Sequence, residues 1–126
     1  MRVLLQRVAR AEVTVEGQAT GSIGPGIMAL VGVGPDDTAE VATTLAGKSC
    51  DLRIFRDDDG RTNRSLIDTG GAMLVVSQFT LYGDTRKGRR PSFIGAAPPD
   101  LAAELVEVFA KAVEARGVEV GRGRFG

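Results

Sequence analysis

The sequence predicts an α/β fold: a layered β/β/α single domain over residues 1–126, with mixed sheets and two main helices. Short apolar runs bounded by glycine and proline read as strands, and two longer segments carry apolar residues at helical spacing. Strands and helices that interleave in this way build layers around one core. A chain of this length is the size of one domain.

The elements follow in order. Val3-Leu4-Leu5 opens the chain with an apolar stretch, and Ala11-Glu12-Val13-Thr14-Val15-Glu16 alternates like a half-buried strand that Gly17 ends. Ile27 to Val33 is continuously apolar, as a strand covered on both faces would be. Asp36-Asp37-Thr38 after Pro35 supplies capping side chains for a first helix, whose stripe runs through Val41, Leu45 and Leu52. Arg53-Ile54-Phe55 reads as a short strand closed by Asp57-Asp58-Asp59-Gly60. Gly70-Gly71 precedes the strongest strand, Ala72 to Phe79, and a basic loop follows. Pro98-Pro99-Asp100 starts the second helix, with Leu101, Leu105, Val108, Phe109 and Ala112 on one side and Gly117 as its stop. Val118-Glu119-Val120 begins a further strand.

Composition narrows the chemistry. The chain is 43% hydrophobic and 25% charged with zero net charge, a globular balance in which any nucleic-acid binding must come from a local patch. No apolar run approaches the ~18 residues that span a bilayer, and the N-terminus lacks the long apolar stretch of a signal peptide. A cytoplasmic protein with no membrane partner is therefore expected. The absence of histidine removes the Ser-His-Asp triad, the Cys-His pair and most zinc sites. A single cysteine, Cys50, excludes an intramolecular disulfide and reads as a small core residue. No cofactor and no metal are expected.

Two local patterns fail on inspection. Gly32-Val33-Gly34 follows a strand like a dinucleotide-binding turn, but Asp37 occupies the third glycine position, where its carboxylate would face a pyrophosphate. Asp57-Asp58-Asp59 begins like a calcium loop, yet Gly60 and Arg61 stand where further ligands belong. A plain turn suits each better.

Two others carry more. Arg86-Lys87-Gly88-Arg89-Arg90 places four cations in five residues, and Pro91-Ser92-Phe93 adds an aromatic platform on which a base could stack. Either a solvated surface or an RNA contact fits that run. Ser77-Gln78-Phe79-Thr80 ends the strongest strand, where α/β sheets commonly meet ligands, though polar residues there could simply terminate the strand. No general base lies nearby in sequence, so a serine or threonine nucleophile would lack its activator. Backbone N–H groups at this strand end could instead stabilise an ester oxyanion.

Gln6-Arg7-Val8, Ser77-Gln78-Phe79-Thr80-Leu81 and Arg90-Pro91-Ser92-Phe93, in this order and spacing, resemble the D-aminoacyl-tRNA deacylases. The Gly70-Gly71 pair and the Gly123-Arg124-Phe125-Gly126 stretch fit the same pattern. The resemblance implies hydrolysis of D-aminoacyl-tRNA, and of glycine misattached to tRNA, by a homodimer with its site at the subunit interface. It implies catalytic roles for Ser77, Gln78, Phe79 and Thr80, with the tRNA's own 2′-hydroxyl assisting. Substrate contacts would come from Arg7, Arg89, Arg90, Pro91, Ser92 and Phe93. The family continues past the phenylalanine-glycine into a strand bearing a glycine–cis-proline selector that excludes L-amino acids. That segment is absent here, so the C-terminal strand region is expected to be missing, and Gly24-Pro25-Gly26 in an early turn is no substitute. A non-catalytic RNA-binding module is the competing reading; release of amino acid from charged tRNA separates the two.

Overall fold

A computed structural model describes residues 1–124. In chain order the strands are β1 (Arg2–Val8), β2 (Ala11–Val15), β3 (Gln18–Ile23), β4 (Gly26–Gly32), β5 (Phe55–Arg56), β6 (Thr62–Arg64), β7 (Ala72–Ser77) and β8 (Val120–Arg122). The helices are α1 (Ala39–Asp51), α2 (Leu66–Thr69) and α3 (Pro99–Ala115), and a 3-10 turn occupies Phe79–Tyr82. The central sheet has the order β1-β4-β7-β8, antiparallel at β1–β4 and parallel at the other two joints. A β2–β3 hairpin and a small β5–β6 hairpin complete the strands described.

Period-two alternation divides the central strands between two layers. Ile27, Ala29 and Val31 of β4 and Met73 and Val75 of β7 join the helix-side core with Ala42, Ala46, Cys50, Phe109, Ala110 and Val113. Thr38 caps α1 as its sequence suggests, accepting from Val41 N–H at 3.3 Å. The buried stripe of α1, however, is Ala42, Ala46, Ser49 and Cys50, whereas Val41 and Leu52 are exposed. Small residues win this face because α1 lies against α3, where larger side chains would hold the helix off. Pro99 starts α3 at its first turn, and Gly117, at φ 84°, follows its end. The four-residue α2 was not expected; a reciprocal capping box between Ser65 and Asp68 makes it.

Ala72 and Leu74 of β7 face the other way and are covered by Ile23, Ala11 and Val13 of the β2–β3 hairpin. That hairpin sits so close that a Cβ at Gly21 would lie 2.1 Å from the Arg122 carbonyl oxygen, so the two backbones cross where a side chain has no room. Arg122 also ties β8 to α3, donating to Glu107 at 3.0 Å and to Glu114 at 2.6 Å. The hairpin covers only part of the sheet. Met28 and Leu30 of β4 are half-buried, and Leu4, opposite Leu30, is 54% exposed, so β4 is not sealed on both faces as expected. Three boundaries also move. β5 begins at Phe55, β7 ends at Ser77, and β8 begins to pair at Val120. No helix among the described residues is long and apolar enough to cross a membrane.

Candidate functional site

β7 leaves its neighbours at a defined point. Ser77 still pairs with Val31, and Gln78 N–H donates to the Val31 carbonyl at 2.9 Å, after which the chain winds into the Phe79–Tyr82 turn. The strand end thereby opens onto a cavity of about 570 Å³ lined by Ser77, Gln78, Phe79 and Phe93. This volume is ample for a nucleoside-sized ligand. Phe79 and Phe93 meet edge to face, ring centroids 5.1 Å apart, with Phe79 55% exposed at the mouth. Among the described lining residues Arg124 alone carries a charge; no carboxylate, amine or imidazole is positioned there to remove a proton.

The turn supplies donors instead. In a 3-10 turn each N–H bonds three residues back, so Phe79 and Thr80 N–H have no acceptor within it, and no side chain caps it. Thr80 itself is exposed and lies outside the cavity lining, its hydroxyl accepting from the Gln78 side-chain amide. Of the four residues expected to act together, Ser77, Gln78 and Phe79 line the cavity and Thr80 borders it.

The opposite wall is built from small residues. Ala96, Ala97, Pro99 and Ala102 line it with Val33, whose carbonyl accepts from Ala97 N–H at 2.8 Å. Beneath Val33, Asp37 accepts from Gly34 N–H at 2.7 Å and pairs with the buried Met1 ammonium at 2.6 Å. Tyr82 fits beside this turn because Gly34 has no side chain: a Cβ there would come within 3.1 Å of its hydroxyl. Burial, and then the Asp37 carboxylate, push the Tyr82 phenol above its ordinary value, with Arg2 opposing them. Gly32 and Gly34 thus make room for Leu81 and Tyr82. The Asp57 carboxylate is likewise engaged within its own turn, by Asp59 and Arg61 N–H and the Asn63 amide.

The other expected substrate residues separate. Phe93 joins the cavity and Ser92 lines a neighbouring groove, while Pro91, Arg89 and Arg90 are exposed and line neither. Arg7 sits at the far end of the sheet. It pairs with Ile27, whereas Ser77 pairs with Val31, which pairs with Val3; the two levels are four positions apart along the strand, roughly 13 Å. Its guanidinium donates to the Ile54 carbonyl at 3.0 Å and borders a separate open cleft. Sequence reasoning missed the alanine wall, because alanine carries no chemical mark. Arg124 was noticed only as part of a motif, whose Phe125 and Gly126 lie outside the described residues.

Comparisons with known proteins converge on one family. The family model described as D-Tyr-tRNA(Tyr) deacylase matches residues 4–126. The D-aminoacyl-tRNA deacylase of Deinococcus deserti is 60% identical over 126 residues, covering 100% of this chain and 86% of that protein. That of Roseiflexus castenholzii is also 60% identical, covering 100% and 80%, and that of Bacillus velezensis is 56% identical, covering 100% and 86%. Among solved structures, one titled c-Myc DNA unwinding element binding protein superposes with TM-score 0.91 at 34% identity, covering 100% of this chain and 86% of its own. A probable eukaryotic D-amino acid tRNA deacylase superposes with TM-score 0.83 at 23% identity, covering 98% and 88%, and supports the fold.

Proposed function

The chain belongs to the D-Tyr-tRNA(Tyr) deacylase family, and from that membership we propose that it hydrolyses the ester joining a D-amino acid to tRNA, releasing both in a cytoplasmic editing step. The observation that carries this reading is the cavity at the end of β7, where Ser77, Gln78 and Phe79 meet Phe93. The aromatic pair suits the adenine at the tRNA terminus, since a base stacks on such a surface for roughly 1–3 kcal/mol. Phe79 and Thr80 N–H would receive the developing oxyanion, each such donor contributing about 3 kcal/mol to the barrier change. Ser77 would bind beside the ester. The assistance by the substrate's own 2′-hydroxyl that the family resemblance implies fits a described lining without a general base.

The same reading extends to glycine misattached to tRNA and to a homodimer. The uncovered face around Leu4 and Leu30 supports a second copy packing there. In its own chain Arg7 lines a cleft separate from the cavity that holds Ser77, which suits a site completed across an interface. Arg89 and Arg90 would then contact RNA from the exposed loop. A nucleic-acid-binding role without hydrolysis is the second reading, favoured by the name of the first structural neighbour.

The decisive experiment follows release of labelled D-tyrosine from D-tyrosyl-tRNA. Release above the uncatalysed rate, persisting in Thr80→Ala and measurable in Ser77→Ala, is expected. Tight tRNA binding with no release would favour the second reading, and trapping of an aminoacyl-Thr80 ester would reverse the residue roles.

A further inference from the structure

We infer that a second, cationic groove beside the cavity holds the phosphodiester backbone of the RNA strand leading to the reacting end. This inference rests on the tRNA reading above for what occupies the cavity; the groove's own chemistry is independent of it. The groove encloses about 800 Å³ and is lined by Arg2, Tyr82, Asp84, Arg86, Lys87 and Ser92 among others. It shares one wall with the cavity. Phe93 faces the cavity, while Ser92 before it and Ile94 and Gly95 after it line the groove, so a single stretch of chain partitions the two. A strand whose terminal base sits against Phe93 and leaves on the side of Ser92 and Ile94 passes this partition, carrying one phosphate per nucleotide.

The groove is charged and held in shape. Its described lining carries three cations and one carboxylate, a net charge of +2 in a chain whose overall net charge is zero. Asp84 and Ser92 exchange backbone hydrogen bonds at 2.7 and 2.8 Å, closing the base of the Thr85–Pro91 excursion like a ladder rung. Arg2 lies 4.5 Å from the Tyr82 ring centre and donates to the Leu81 carbonyl at 2.8 Å, which fixes one cation on the β1 side. On the loop side the Asp84 carboxylate accepts from Arg86 Nε and Nη2, and from Arg86 backbone N–H at 2.9 Å. This solvent-exposed pairing turns the guanidinium toward Asp84 while leaving its Nη1 edge unengaged by that carboxylate. Lys87 follows on the exposed loop. Hydroxyls of Thr85 and Ser92 add donors suited to phosphate oxygens. Cations held on two separate elements across a channel suit an extended polyanion better than a single small anion.

The test measures binding of deacylated tRNA to the full chain across a salt series. For Arg86→Ala/Lys87→Ala the affinity should fall roughly tenfold or more, and the slope of log affinity against log salt should shrink by between one and two. Asp84→Asn should do the reverse. It removes the one carboxylate, leaves both backbone bonds to Ser92 in place, and should tighten binding and steepen the slope. A merely structural loop would be loosened by both changes and would weaken binding in both; that result overturns the proposal, as does an unchanged slope in the double variant. A non-hydrolysable amide analogue of D-tyrosyl-adenosine, which ends before any phosphate, separates the two readings. Failure of that analogue to bind the unaltered protein counts against the cavity assignment, and the tRNA salt slopes still decide the groove.

Discussion

The helix side of the sheet and the segment from Phe79 to Gly95 are made from opposite materials. On the helix side, Ile27, Ala29, Val31, Met73 and Phe109 are wholly enclosed, and the strands and helices around them are regular. From Phe79 onward the chain forms one short turn and an isolated bridge, and Phe79, Phe93 and Ile94 stand exposed. Between them the molecule divides its labour: one region holds the fold with apolar area, and the other presents aromatic and cationic groups on irregular backbone anchored to the first. The difference predicts that substitutions in the two regions will fail in different assays.

The largest effect should come from Phe109→Ala. Emptying a fully enclosed site of this size costs about 3–5 kcal/mol, read as a lowered denaturation midpoint. A loss below about 1 kcal/mol would mean that the helix side is not the main stabilising layer. Next stands Asp37→Ala, which leaves the buried Met1 ammonium and Gly34 N–H without their acceptor. A loss of about 1–3 kcal/mol is expected, with weaker ligand binding as well, because Val33 above this turn forms part of the cavity wall. An effect on stability alone would place Asp37 wholly on the structural side of the comparison.

Phe93→Ala should show the converse pattern. Stability should change by less than about 1 kcal/mol, while affinity for a terminal adenosine falls roughly tenfold with the lost stacking surface. If chemical denaturation instead registers a core-sized loss, the division between the regions fails. The smallest effect concerns acid. Arg86, through its side chain and then its backbone N–H, holds the Asp84 carboxyl below its ordinary 3.8. A carboxyl depressed on folding stabilises above the unfolded value, and that contribution disappears as pH falls through the lower folded value. Amide exchange around Thr85–Pro91, corrected for its intrinsic pH dependence, should therefore quicken below about pH 4, as should the end of α3 where Arg122 depresses Glu114, before the enclosed strands β4 and β7 respond. Simultaneous loosening of both regions would erase the distinction.

The same division decided what could be read from the sequence. Thr38, Pro99 and Gly117 announced the helix ends because capping and stopping are local chemistry. The face of α1 was only partly legible: Leu45 packs against the core, but Val41 and Leu52 stand exposed, and close approach to α3 selected Ala42, Ala46 and Cys50. Strand β6, Thr62–Arg64, has no apolar alternation at all; the Asp57 turn, with Arg53 donating to the Asn63 carbonyl at 2.8 Å, holds it in place. At the site, Ser77 to Phe79 and Phe93 were legible as motif residues, and the structure brings them to one cavity. The alanine wall and the groove cations Arg2 and Arg86 come together only through long-range packing, which sequence neighbours do not reveal. Arg90 looked like part of a pocket because it adjoins Phe93 in the motif, yet the chain turns it outward.

The crossing at Gly21 has a consequence for how the protein is made. Residues 21 and 122 touch backbone to backbone, although a hundred positions separate them. During synthesis the β2–β3 hairpin emerges early, but the strand it must lie against is the last one described. Until β8 leaves the ribosome, the hairpin cannot complete its docking, and Ala72 and Leu74 wait on a half-covered sheet with their apolar side chains open to other chains. The nascent polypeptide is therefore most exposed to misassociation in the interval after β7 has emerged and before β8 has, while its outer layer is not yet closed.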